Sequence, residues 1–264
     1  MRNPVITLLT DFGLKDPYVA SMKGVILRIN PQCTLVDITH HIPPHDLKEG
    51  AFVLANAFST FPKGTVHIAV VDPGVGSPRK PILLVTQSYF FIGPDNGIFT
   101  FVVKRQKVKQ AVALTNSRYF LSQVSTTFHG RDIFAPVAAH LSLGVKPKAF
   151  GHVIDSWTEF LFREPENKEG HLVGEVFHID TFGNVISNID RGQLFQFSKR
   201  HPIIVRVGKR IVRGLKKGYW EGKKNEPIAL LGSGDFLEIS VREGNAQKLL
   251  KVKKGDRVLV QICR

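Results

Sequence analysis

The sequence predicts an α/β unit, a mainly parallel sheet with flanking helices, followed by a smaller all-β, barrel-like unit. Three observations predict it. Up to about residue 150, short apolar runs alternate with segments of helical periodicity. Beyond about residue 165, short apolar runs follow one another with no long helical pattern between them. Between the two regimes lies EPENKEG, residues 164–170, a polar stretch with a proline that suits a boundary. The expected units are residues 1–163 and 171–264.

The elements follow in order. Residues 5–9 (VITLL) read as a strand that delivers Thr10-Asp11-Phe12-Gly13. Residues 18–29 place Val19, Met22, Val25, Ile26 and Ile29 at helical spacing. Residues 34–38 form a second strand. Residues 47–61 are Ala-rich and helical by pattern until Pro62-Lys63-Gly64 stops them. Residues 66–71 are a short apolar run of the kind covered on both faces, and strands at 82–86 and 89–92 follow. Gly93-Pro94-Asp95-Asn96-Gly97 is a dense turn signal. Residues 132–143 read as a helix with Pro136 in its first turn and Gly144 at its end. In the second regime, strands are expected at 172–179, 185–189, 203–207, 228–231, 236–241 and 258–262.

The stretch VHIAVVDPGVGSPRK, residues 66–80, organises the chain. It sets Asp72 at the C-terminal end of a buried strand and brings Arg79 across a glycine loop, at the sheet edge where α/β folds bind ligands. A strand cap with a solvated arginine is the structural alternative. Asp11 ends the first strand, and a carboxylate there can accept from both hydroxyls of a vicinal diol such as a ribose. Capping of the following helix is the alternative, and Asp16 before Pro17 suits that role better. Phe128-His129-Gly130-Arg131-Asp132 compresses His, Gly, Arg and Asp before a helix start. With Asp72 and Arg79, His129 completes a set able to hold a water. In the second unit, Asp180 and Asn184 flank Gly183; they suit the two ends of a zwitterion, or a hairpin with Asx-turns. Leu231-Gly232-Ser233-Gly234 reads as a hairpin turn or a donor loop for a carboxylate. Tyr219-Trp220 reads as a stacking pair or as core.

Composition narrows the classes. The net charge is +14, with many Lys and Arg after residue 199. That is a nucleic-acid footprint, a solvated basic surface or a surface that attracts anionic metabolites, and the solvated surface is preferred because no aromatic-interleaved RNA motif accompanies the charge. No apolar run reaches the ~18 residues of a membrane span. No basic region followed by an apolar core opens the chain, so a cytoplasmic protein is expected. Cys33 and Cys263 are expected as free thiols, with no disulfide framework and no metal cluster. The chain lacks a P-loop, an HExxH pair, a Gly-x-Ser-x-Gly elbow and the third glycine of a dinucleotide fingerprint.

Taken together, Thr10-Asp11-Phe12-Gly13, Val71-Asp72-Pro73-Gly74-Val75-Gly76 with Arg79, residues 93–97, Thr127-Phe128-His129-Gly130-Arg131-Asp132 and Phe182-Gly183-Asn184 occur in one order. In that order the chain resembles the S-adenosyl-methionine hydroxide adenosyltransferase family, relatives of the fluorinases and chlorinases, over nearly its whole length. The resemblance implies an α/β domain and a β-barrel domain assembled as a homotrimer, with active sites between neighbouring subunits. It implies that Asp11 holds the ribose and that Asp72, Arg79 and His129 hold the attacking water. Phe128 and Gly130 flank that histidine. Asp180, Asn184 and Ser233 fall at the methionine head group, and Phe182 and Tyr219 near the adenosyl group. Backbone around residues 238–243, including Glu238 and Val241, falls at the adenine. Gly234 stands where the fluorinase has an arginine. At the His129-Gly130 positions, the fluorinase resembles Tyr-Ser and the chlorinase Tyr-Gly.

A halide needs a small dry pocket, whereas a water needs oriented donors and acceptors. The expectation is therefore hydrolysis of S-adenosyl-methionine to adenosine and L-methionine, with Asp72 and His129 orienting the water and accepting its proton. No cofactor and no metal are expected. Two rivals remain: a non-catalytic binder of adenosine or S-adenosyl-methionine, and a nucleic-acid-binding protein using the basic β unit.

Overall fold

The computed structural model describes residues 3–263. Contacts divide the chain between Phe160 and Leu161. The first unit runs β1 (Val5–Thr10), α1 (Tyr18–Ile29), β2 (Thr34–Thr39), α2 (Leu47–Ala57), β3 (Val66–Val70), β4 (Pro81–Thr86), β5 (Phe90–Pro94), α3 (Thr100–Arg105), β6 (Val108–Leu114), α4 (Ala135–Ser142) and β7 (Gly151–Ile154). Its seven strands lie in the order β2-β1-β3-β5-β4-β6-β7.

The sheet is mixed. β1 pairs in parallel with β2 and β3, and β3 in parallel with β5. The pairs β4–β5, β4–β6 and β6–β7 are antiparallel. Parallel order thus holds for the half that carries Asp11 and Asp72 and gives way beyond it. The reason is local: only residues 87–89 separate β4 from β5, far too few for a crossover, so the two must form a hairpin.

Every residue of β3 is buried, as a strand covered on both faces requires. Ile68 and Val70 face a cluster with Met22, Ile26, Val137 and Phe150. Ala69 and Val71 face the other cluster, with Leu54, Phe58 and Ile98. Helices α1 and α4 therefore cover one face, and α2 and α3 the other. α3, β6 and β7 escaped the sequence reading. α2 tightens into a 3₁₀ turn at Phe58–Thr60, and α4 is preceded by a π-helical turn at Gly130–Phe134. Asp16 does not cap α1: the cap position is Pro17, with no side-chain bond.

The second unit runs β8 (Glu166–Lys168), β9 (His171–Ile179), β10 (Val185–Asp190), α5 (Arg191–Ser198), β11 (Ile203–Val207), β12 (Arg210–Arg213), β13 (Leu215–Lys216), β14 (Pro227–Leu231), β15 (Phe236–Val241), α6 (Ala246–Leu250) and β16 (Arg257–Ile262). Its nine strands follow β12-β11-β16-β9-β10-β15-β14-β13, with β8 against β9. β9 is long enough to pair with β16 by its first half and β10 by its second. β12 returns alongside β14, so the sheet curls towards a barrel. Alternate residues such as Ile203, Val205 and Val207 fill its core. The polar stretch expected as a linker is partly β8; its three residues are all exposed, so they read as loop. Among the described residues, no helix is long and apolar enough to cross a membrane, and no group of three or more His, Cys, Asp or Glu could hold a metal. Cys33 and Cys263 form no disulfide.

Candidate active site

The end of β3 sets the first group. Asp72 follows Val71, and the chain turns back through Val75 N–H on Asp72 O (3.2 Å) and Ser77 N–H on Gly74 O (3.1 Å). Gly76 sits at φ +78, where a Cβ would lie 2.3 Å from the Thr126 carbonyl oxygen. Only glycine lets the loop lie this close to the segment before His129.

Arg79 then forks onto Asp72. Its Nε donates to Oδ1 at 3.0 Å and its Nη2 donates to Oδ2. The same Nη2 reaches His129 Nδ1 at 2.9 Å. The side chains of Arg79 and Asp72 are 9% and 4% exposed, so the pair is nearly desolvated. Arg79 also lies over the Phe134 ring, 5.6 Å from its centroid. A guanidinium only donates, so His129 Nδ1 must be the acceptor. That fixes the neutral tautomer with its proton on Nε2. Burial and the Arg79 charge both push the His129 pKa below the ordinary value, which keeps the ring neutral. In this arrangement His129 presents an Nε2–H donor, unlike the sequence expectation that it accepts a proton. Arg79 Nη1 is buried with no hydrogen-bond partner among the described residues.

Two braces hold the trio. Asn96, read from sequence only as part of a turn, donates from Nδ2 to the Val71 carbonyl at 2.9 Å and accepts from Ile98 N–H. Gly93 permits β5 to lie against β3: a Cβ there would sit 2.3 Å from Ala69 O. Asp132, fully buried, accepts from Ser125 N–H at 2.8 Å and pairs with Arg131 through Nε at 2.6 Å. It ties the loop before His129 to the π turn after it. Sequence spacing gave the composition of this cluster but not which acid turns inward.

Asp11 lies at the end of β1. Its Oδ2 accepts from His45 N–H at 2.9 Å, and its Oδ1 has no protein partner among the described residues. Next to it, Phe12, Tyr18 and Phe128 form an edge-to-face cluster with centroids 5.2–5.9 Å apart. This contact brings the Asp11 loop beside the His129 loop. Gly130 is buried within it: a Cβ would lie 3.1 Å from Met22 Sδ and 3.4 Å from the Phe128 ring. Tyr18, 46% exposed, is a candidate that the sequence offered only as a helix start.

In the second unit, Asp180 Oδ1 accepts from the N–H groups of Phe182 (2.9 Å) and Asn184 (2.8 Å), and Oδ2 accepts from Asn184 Nδ2 (2.8 Å). The two residues are joined as an Asx-type turn, with Gly183 at φ +84 against Asn245. Phe182 stands out, 76% exposed. Tyr219 donates to Glu238 Oε1 at 2.8 Å, and Ser240 Oγ donates to the same oxygen at 2.6 Å. Burial, then the Glu238 contact, pushes the Tyr219 pKa up to about 12. The Asp180 charge adds to that shift. The Glu238 side chain, expected to matter only through its backbone, is thus a buried acceptor. Ser233 is exposed at the tip of the β14–β15 turn and is not drawn into these contacts. Val241, the last residue of β15, packs its side chain into the barrel core and is paired with Pro227 of β14.

The structure therefore brings Asp72, Arg79 and His129 together, sets Asp11, Phe128 and Gly130 beside them, and separately groups Asp180 with Asn184 and Tyr219 with Glu238. This is an α/β unit with a cation-held carboxylate and imidazole at the carboxyl edge of its parallel strands, followed by a curled, mainly antiparallel unit that presents its own polar cluster. The chain belongs to the S-adenosyl-methionine hydroxide adenosyltransferase family: residues 6–151 match that family's N-terminal domain and residues 174–259 its C-terminal domain. The chain is 39% identical to an (R)-S-adenosyl-L-methionine hydrolase of Methanocaldococcus jannaschii, over 96% of this chain and 94% of that protein. A protein of the same name from Thermus thermophilus is 37% identical over 95% of this chain and 96% of its own length. A fluorinase of Nocardia brasiliensis is 31% identical over 73% of each chain. A solved structure described as an uncharacterized conserved protein from Thermotoga maritima superposes with a TM-score of 0.92 at 38% identity, over 97% of this chain and 99% of that one.

Proposed function

We propose that this protein hydrolyses the (R)-sulfonium epimer of S-adenosyl-L-methionine to adenosine and L-methionine. The observation that carries the reading is the Asp72–Arg79–His129 relay, with a buried guanidinium nitrogen left unpartnered. Family membership and the names of the full-length relatives supply the substrate. Water attacks C5′ in line with sulfur. Its oxygen bonds to C5′ as the C5′–S bond breaks, and that bond's electron pair leaves with sulfur as the neutral thioether of methionine. The sulfonium needs no acid to depart, so the protein's task is to place one oxygen and exclude others; positioning alone supplies about 7–11 kcal/mol. Arg79 Nη1 and His129 Nε2 donate to that oxygen, which favours its hydroxide-like form. Asp72 keeps lone pairs beyond the two taken by Arg79 and receives the water's proton for passage to solvent.

In the same reading, Asp11 takes the ribose diol through its free oxygen, with Phe128 and Gly130 shaping the wall beside C5′. Asp180 offers its remaining lone pair to the methionine ammonium, and Asn184 and Ser233 serve its carboxylate. Phe182 and Tyr219 line the adenosyl group, and backbone at Glu238 and Val241 meets the adenine. The protein works as a homotrimer, each site drawing on two subunits, in the cytoplasm, where Cys33 and Cys263 stay reduced. The test is incubation with each sulfonium epimer in halide-free buffer, followed by chromatography for adenosine, beside His129→Ala. Adenosine from the (R) epimer, reduced ~10²–10³-fold in the variant, is expected. No adenosine above background from either epimer would leave a non-catalytic binder.

A further inference from the structure

The positive charge has a place in the fold that its sequence positions do not disclose. Between residues 199 and 224 stand ten Lys and Arg against one acidic residue, Glu221. A second basic run occupies residues 248–254. The turn of the β11–β12 hairpin lies on the end of α6. Gly208 there sits at φ +54, and a Cβ on it would be 3.0 Å from Leu250 O and 3.1 Å from Val252 Cγ1. Lys209 and Arg210 follow that glycine, and Lys251 lies between the two residues it touches. Arg206, Lys209, Arg210, Lys248, Lys251 and Lys253 are all exposed. None of the six makes an ion pair with a carboxylate among the described residues. Asp256, the acid of the adjoining loop, accepts from the backbone N–H of Lys253.

We infer that this corner, the β11–β12 turn and the end of α6, binds the phosphate backbone of a single-stranded nucleic acid, independently of base sequence. Exposed like charges on one corner repel one another, and a polyanion relieves several of them together. A two-stranded ribbon with flanking lysines tracks a phosphate chain and releases its counterions. A bilayer is the weaker match: in α6, Ala246 and Leu250 are buried and Leu249 packs against the core, so Ile211 of β12, 50% exposed, stands alone among large apolar side chains of the corner and makes no face to insert. The inference does not rest on the hydrolase reading, since none of the six residues has a part in it.

The experiment is fluorescence anisotropy with a labelled oligouridylate and an oligothymidylate of equal length, between about 50 and 200 mM salt. The comparison is the variant Lys209→Glu/Arg210→Glu/Lys251→Glu. Each phosphate neutralised adds about −0.7 to the slope of log K against log salt. The wild type is expected to bind with a slope of about −2 or steeper, and the variant at least ~10-fold more weakly with a slope shallower by about 2. Equal binding of both oligomers assigns recognition to phosphate, and a preference for RNA adds its 2′-hydroxyl; both support the inference. Absence of salt-dependent binding, unchanged binding by the variant, or binding only to phosphatidylserine vesicles would overturn it. Should the triple variant fail to fold, Lys209→Gln and Lys251→Gln, each expected to reduce the slope by about 0.7, carry the same test.

Discussion

Arg79 shares one nitrogen between an acid and an imidazole, and this bond decides what His129 is. Because Nη2 can only donate, the ring nitrogen facing it stays unprotonated. A proton added to Nδ1 would set two donors against each other at 2.9 Å. Burial, and after it the Arg79 charge, lower the His129 pKa from 6.5. The sign for stability follows. The unfolded chain binds that proton more readily than the native one, so the native state is unaffected above about 6.5 and loses stability as pH falls below it. For activity, the acid limb of kcat/KM is expected below 6.5, because the working form is the neutral ring. A pH–rate profile of adenosine release checks this; an acid limb above 6.5 would contradict the neutral-donor role.

At the scale of elements, the site depends on how closely β5 and its following turn approach β3. Gly93→Ala forces a Cβ to within 2.3 Å of the Ala69 carbonyl, a contact with backbone that no rotamer relieves. The expected cost is about 1–3 kcal/mol, read as a Tm lower by about 2–4 °C per kcal/mol. Asn96→Ala removes the donor to Val71 O, the carbonyl just before Asp72. Its stability cost is expected near 1 kcal/mol, while kcat falls more than that loss alone explains, because Asp72 loses its fixed approach. Thermal melts and turnover measured on the same samples separate the two effects. An Asn96→Ala protein with normal kcat would show that the turn only supports the fold.

For the whole molecule, the proposed trimer has a direct consequence. Light scattering is expected to give three copies of the 29.5 kDa chain. Dilution below the assembly constant is expected to lose adenosine formation together with the trimer, since two units from different subunits would complete each site. Full activity in a monomer would refute the shared site. The net charge of +14 belongs to this scale too. Part of it gathers where the second unit folds two basic runs onto one corner.

Much of this was legible in order along the chain. The apolar period of residues 66–71 fixed a strand buried on both faces, and the strand fixed where Asp72 would emerge. Turn chemistry placed Gly76 and Gly183, both at positive φ, whereas Gly93 and Pro94, read as part of a turn, lie within β5, where Gly93 is required by the close approach of β3. Elements whose signal is weak were not legible: α3 and α5 are short, and β8 is three exposed residues. Only tertiary structure decided that half the sheet is antiparallel, because strand direction depends on what each connection can span. It also decided that Asp132 turns inward as an anchor and that Asp180 and Asn184 meet as one turn. The sequence by itself determined which groups the protein possesses and in what local frame. Their protonation and partners came from the fold, because distances and desolvation are set by residues far apart in the chain, as Arg79 and His129 are.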